Sequence, residues 1–140
     1  MKPETDPISD DEIVLRLVWR DYFKEGDNLP VKPRAFYPRG DEHSGISVFR
    51  AACVAGPADI LAALPKAENR PRYAIAALAV ADLKAFGLTV VPDQIAAVPG
   101  HAVLTELNSV GWAADKVFWQ SVVEGLARLA SRSIIHKPAP

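Results

Sequence analysis

Apolar residues recur along this chain with two different periods, and those periods assign the elements. Ile13, Val14, Leu17, Val18 and Tyr22 fall on one stripe at helical spacing, while Arg16, Arg20 and Lys24 fall off it. Ser9-Asp10-Asp11-Glu12 precedes the stripe. A serine can cap free N–H groups there, and the carboxylates suit the positive end of a helix dipole. The pattern predicts an amphipathic helix ending before Gly26. Residues 26–45 are rich in Gly, Pro, Asp and Asn, so they read as loop, with a short extended edge piece at 31–37.

Further along, Ile46-Ser47-Val48-Phe49 alternates with period two and predicts a strand. Gly56-Pro57-Ala58-Asp59 opens a short helix that Pro65 stops. Residues 73–78 alternate large and small side chains, which favours a buried strand, although their alanines also suit a helix. We read 73–78 as strand, 80–86 as a short helix closed by Gly87, 88–91 as strand, 95–100 as loop and 101–107 as strand. Phe118, Val122, Leu126 and Leu129 then mark a core-facing stripe on a final helix over 112–132.

These elements make an α+β domain: a small, mostly antiparallel sheet packed against an N-terminal and a C-terminal helix. The expected organisation is a flexible tail at 1–9, one domain over 10–132 and a second tail at 133–140. At 140 residues and 49% hydrophobic content, one core can form without a metal or disulfide staple. One cysteine, Cys53, builds no disulfide framework, and the longest apolar stretch, 74–81, is far below the ~20 residues of a membrane-spanning helix. Together these point to the cytoplasm and away from membranes.

A formal net charge of −1 argues against nucleic-acid binding, which usually needs a basic stripe. The nearest approach is the scatter of Lys32, Arg34, Arg39 and Arg50, with Asp41 and Glu42 set inside it. The three histidines, at 43, 101 and 136, lack the paired spacing of a zinc site, so no metal is expected. No Gly-x-Gly-x-x-Gly, Walker-type loop or Gly-x-Ser-x-Gly elbow is present, and no cofactor is expected.

His101 is the leading candidate for chemistry. It follows Pro99-Gly100, where a strand starts from a tight turn, and imidazoles serve as general acids and bases. Asp93 lies across the loop as a partner, whereas Glu106 falls on the opposite face. The plainer reading is a histidine that ties down the turn. Arg34, Arg39 and Arg50 with Ser44 and Ser47 form a second group, since guanidinium forks suit carboxylates and phosphates. Cys53, among alanines, reads as a small buried hydrophobe. Trp112 and Trp119 share one helix face and, if exposed, would mark a partner surface.

Lys-Pro-Arg-Ala-Phe at 32–36, Gly-Ile-Ser-Val-Phe at 45–49, Gly-Leu-Thr-Val-Val-Pro-Asp at 87–93 and Gly-His-Ala-Val-Leu at 100–104 are spaced along most of the chain. This order resembles a group of small bacterial proteins with an "aF…lSV…GlxVxxDP…HAxV" pattern and no assigned activity. The resemblance implies that Phe36, Ser47, Asp93 and His101 belong to one site. Gln94 stands where the pattern has proline.

Three functions follow as expectations. The first is a small binding or adaptor domain acting through a protein partner or a second copy of itself, as an accessory subunit of a bacterial operon. The second is an enzyme acting on a phosphorylated or nucleotide-derived molecule, with His101 as acid or base, Ser47 beside it, and Arg34 or Arg50 holding the anion. Nucleic-acid binding ranks last.

Overall fold

A computed structural model describes residues 1–24, 30–40 and 42–139. The expected helix end before Gly26, and the place of Asp41 in the polar loop, fall outside the described residues. Among the described residues six strands form one antiparallel sheet: β1 (Ile13–Trp19), β2 (Ile46–Arg50), β3 (Tyr73–Ala79), β4 (Val90–Pro92), β5 (His101–Leu104) and β6 (Ile134–His136), in the order β4-β5-β2-β1-β3-β6. Among the described residues three α-helices accompany them: α1 (Val80–Ala85), α2 (Ser109–Ala114) and α3 (Lys116–Ser131). The fold is α+β, with a C-terminal helix on an antiparallel sheet as expected.

The N-terminal helix is not formed. Residues 13–19 are β1, a central strand paired over its whole length with β3, from Ile13 opposite Ala79 to Trp19 opposite Tyr73. The physical reason is that both faces of the sheet are covered. Val14 and Val18 point into the larger core with Val48, Ala76, Leu78 and the α3 residues Val123 and Leu126. Leu15 points the other way, into a second core with Phe49, Ile60 and Ile75. A strand buried on both faces reads as a nearly continuous apolar run, and such a run also fits helical spacing. The helix-start signal has a different use as well. Glu12 turns back to accept the Ser9 N–H (2.8 Å), closing a turn that feeds a strand.

Smaller differences have local causes. Residues 33–36, expected to be extended, form a short 3₁₀ turn that begins at Pro33. The final helix is broken at Asp115, whose carboxylate caps the Phe118 N–H and so starts α3 afresh; Asn108 caps α2 in the same way. Residues 134–136, expected as tail, add β6 to the β3 edge. β5 ends at Leu104, and Glu106 folds back to accept from the backbone N–H and hydroxyl of Thr89. Residues 2–7 are also held. The Lys2 N–H donates to the Ala52 carbonyl (2.6 Å), and the Glu4, Asp6 and Pro7 carbonyls accept from Arg50.

Candidate active site

Strand alternation places the site. On β2 and β5, Ile46, Val48, Ala102 and Leu104 point to the α3 side, so Ser47, Phe49, His101 and Val103 point to the other. Phe49 lies directly opposite His101, with ring centroids 5.2 Å apart, and Ser47 is the diagonal neighbour one pleat along. His101 Nε2 stands 2.9 Å from the Ser47 hydroxyl. Its Nδ1 stands 2.5 Å from the Asp93 carbonyl oxygen and 3.3 Å from the Asp93 carboxylate.

That geometry determines the tautomer. A carbonyl oxygen can only accept, so Nδ1 carries the proton. In the neutral ring Nε2 then has a lone pair, and the Ser47 hydroxyl donates to it. A hydroxyl, an accepting imidazole nitrogen and a group that orients the ring stand in series, which is the arrangement of an activated nucleophile. His101 is only 7% exposed, whereas Asp93 is open to solvent.

The turn before His101 is built to hold it. Gly100 has φ +83°, and a Cβ there would stand 2.6 Å from Cys53 Cβ, so only glycine fits. Its carbonyl accepts from the Arg50 N–H (2.9 Å) and its own N–H donates to the Glu4 carboxylate (2.8 Å).

A residue outside the expected set completes the site. β1 and β2 pair only at Val14–Arg50 and Leu15–Phe49 and then diverge, leaving the Ser47 carbonyl without a strand partner on that side. The Arg16 guanidinium fills the fork, donating to the Ser47 carbonyl (2.8 Å) and the Ala35 carbonyl (2.7 Å) above the Phe36 ring. Its Nε is buried without a partner among the described residues, and burial holds the guanidinium below its ordinary pKa. A cleft of about 310 Å³ opens over these groups, with Arg16, Ser47, His101 and Arg39 in its wall and Trp19, Tyr73 and Ile95 as its apolar part.

The structure therefore brings Ser47, Asp93 and His101 together. Arg50, expected beside them, lies elsewhere: its side chain is 1% exposed and clasped by Glu12 at 2.8 and 2.9 Å. Phe36 is fully buried and supports Arg16 from below. Arg34 is exposed and lines an adjoining cleft. Cys53 is buried, and burial pushes its thiol up. Trp112 and Trp119 are half-buried against the core. Among the described residues no group of three or more His, Cys, Asp or Glu gathers to hold a metal, and no helix is long and apolar enough to cross a membrane. Arg16 left one signal in the sequence, a charged residue in the middle of an apolar run.

No family model, curated protein or solved structure matches this chain. The chemistry of the cleft must be read from its own residues.

Proposed function

We propose that this chain is a small-molecule hydrolase that cleaves esters carrying a negative charge, with Ser47 as nucleophile and His101 as general base. The hydrogen-bond chain from Ser47 through His101 to Asp93, set in a cleft with Arg16 and Arg39, is the observation that carries the reading. The Ser47 oxygen bonds to the acyl carbon as its proton passes to His101 Nε2. The bond to the departing alcohol breaks, and His101 returns the proton to it. Water, deprotonated by His101, then releases the acid and restores the Ser47 hydroxyl. The Asp93 carbonyl keeps the ring in the accepting tautomer, and the arginines draw the anionic substrate.

Intact-mass analysis after treatment with an aryl fluorophosphonate tests this without a known substrate. Wild type should gain one adduct on Ser47, Ser47→Ala none, and His101→Gln should react ~10²-fold more slowly. No adduct on wild type, or equal labelling of the Ser47→Ala variant, overturns the reading.

A second reading is a domain that works through a protein partner or a second copy. It is favoured by an apolar surface around the start of α3, where Val117 is 88% exposed, Val110 69% and Phe118 52%. Light scattering on the purified chain and on Val117→Lys with Phe118→Glu tests it. A wild-type dimer reduced to monomer supports this reading, and a wild-type monomer that retains no lysate protein removes it.

A further inference from the structure

Two clefts adjoin here and share a wall. The first holds Ser47 and His101. The second, of about 290 Å³, is lined by Arg34, Ala35, Tyr37 and Pro38, and Arg16, Tyr22 and Arg39 line both. We infer, building on the hydrolase reading, that the substrate is a carboxylic ester with an apolar body that also carries a phosphate monoester, its phosphate seated among Arg16, Arg34 and Arg39 and its acyl carbon reaching Ser47 and His101.

Arg16 is the anchor of this subsite. Two of its nitrogens are tied to the Ser47 and Ala35 carbonyls, so its position is set before any ligand arrives and little side-chain freedom is lost on binding. Carbonyl dipoles are the only acceptors it has among the described residues. A partly buried cation held that way gains most from an arriving anion. Arg34 and Arg39 are exposed and line the same cleft.

Charge count favours a dianion. Among the described residues lining the two clefts, Glu42 is the single carboxylate, and it already accepts the Arg39 backbone N–H at 2.9 Å. One guanidinium fork suffices for a carboxylate, whereas three arginines lining one cleft suit the several oxygens of a phosphate. Tyr22 and Tyr37 add hydroxyl-bearing rings to the same wall. The apolar body has its own surface: Trp19 and Tyr73, with ring centroids 5.1 Å apart, line the first cleft beside Phe49, Leu64 and Ile95.

Isothermal titration of the Ser47→Ala chain with phenyl phosphate, inorganic phosphate and benzoate tests the subsite without turnover. Phenyl phosphate should bind best, with inorganic phosphate and benzoate each about tenfold weaker. Arg34→Met and Arg39→Met sit at exposed positions, so the fold should survive them. Each should cost about tenfold in phenyl phosphate affinity, as expected for one lost charge-assisted contact. Benzoate binding as tightly as phenyl phosphate, or unchanged affinity in both arginine variants, overturns the subsite. Equal affinity for inorganic phosphate removes the apolar body. Phosphate capture without fluorophosphonate labelling keeps the subsite and removes the hydrolase, and labelling without phosphate capture does the reverse.

Discussion

Arg50 and Glu12 meet in a two-pronged ion pair inside the protein, with the guanidinium Nε 2.8 Å from one carboxylate oxygen and an Nη 2.9 Å from the other. The remaining donors of Arg50 go to the carbonyls of Glu4, Asp6 and Pro7, so one side chain fastens the first residues of the chain to β2. The same segment supplies the Glu4 carboxylate that holds the Gly100 N–H, one residue before His101. The N-terminal residues thus support the turn that leads into His101.

Breaking that pair should be costly. Glu12→Gln leaves the Arg50 charge buried without its counter-ion and should destabilise the fold by about 3–5 kcal/mol, read from urea denaturation. Replacing both partners, Glu12→Leu with Arg50→Met, should recover only part of the loss. Three carbonyls would still lack their donor. A full recovery would show that the carbonyl contacts contribute nothing.

Acid should loosen the protein through the same residue. Burial alone raises the Glu12 carboxyl, but the hydrogen bonds from Arg50 and Ser9 and the charges of Arg50 and Lys2 outweigh it, leaving the group below the ordinary glutamate value. The unfolded chain therefore takes up the proton first. The stabilisation is whole above about pH 4.3, the unfolded value, and is lost as the pH falls through the lower folded value. Denaturation midpoints measured from pH 6 down to pH 3 should fall more steeply for wild type than for Glu12→Gln. Parallel curves would assign acid unfolding to other groups.

Gly100 should tolerate no side chain. Gly100→Ala places a Cβ against Cys53 and forces a left-handed φ, which together should cost about 2–4 kcal/mol. Adding Cys53→Ser should restore little, because the clash is with the Cβ that serine keeps. The measurement is again the unfolding midpoint, and an unchanged value would mean that the turn relaxes freely.

The tautomer of His101 can be observed directly. In a ¹⁵N-labelled sample near pH 7.5, Nδ1 should carry the proton and Nε2 should resonate as an acceptor nitrogen, since Nδ1 faces a carbonyl and Nε2 a hydroxyl. Ser47→Ala should move the Nε2 shift and leave Nδ1 near its wild-type position. A proton on Nε2 in the neutral ring would contradict the assigned donor to Nε2 and, with it, the role of Ser47.

Much of the second half of the chain was legible from its residues. The alternation at 73–78, the short helix after it and the turn at Pro99-Gly100 depend on neighbours close in sequence, and β3, α1 and the start of β5 stand where that alternation predicts. The period of two also set Ser47 and Phe49 on opposite sides from Ile46 and Val48, before any partner strand was known. What the local pattern could not decide was β1. A run such as Ile-Val-Leu-Arg-Leu-Val-Trp satisfies a helix stripe and a doubly covered strand equally well, and only packing on both faces chooses the strand. The arginines divided for the same reason. Sequence spacing made Arg50 and Arg34 equivalent anion holders and Arg16 a solvent-facing residue. The tertiary structure decided otherwise by burying Glu12 beside Arg50 and by opening a fork between β1 and β2 that the Arg16 guanidinium fills. Secondary structure follows local periodicity, whereas the partner of a charged side chain is set by which distant segment folds against it.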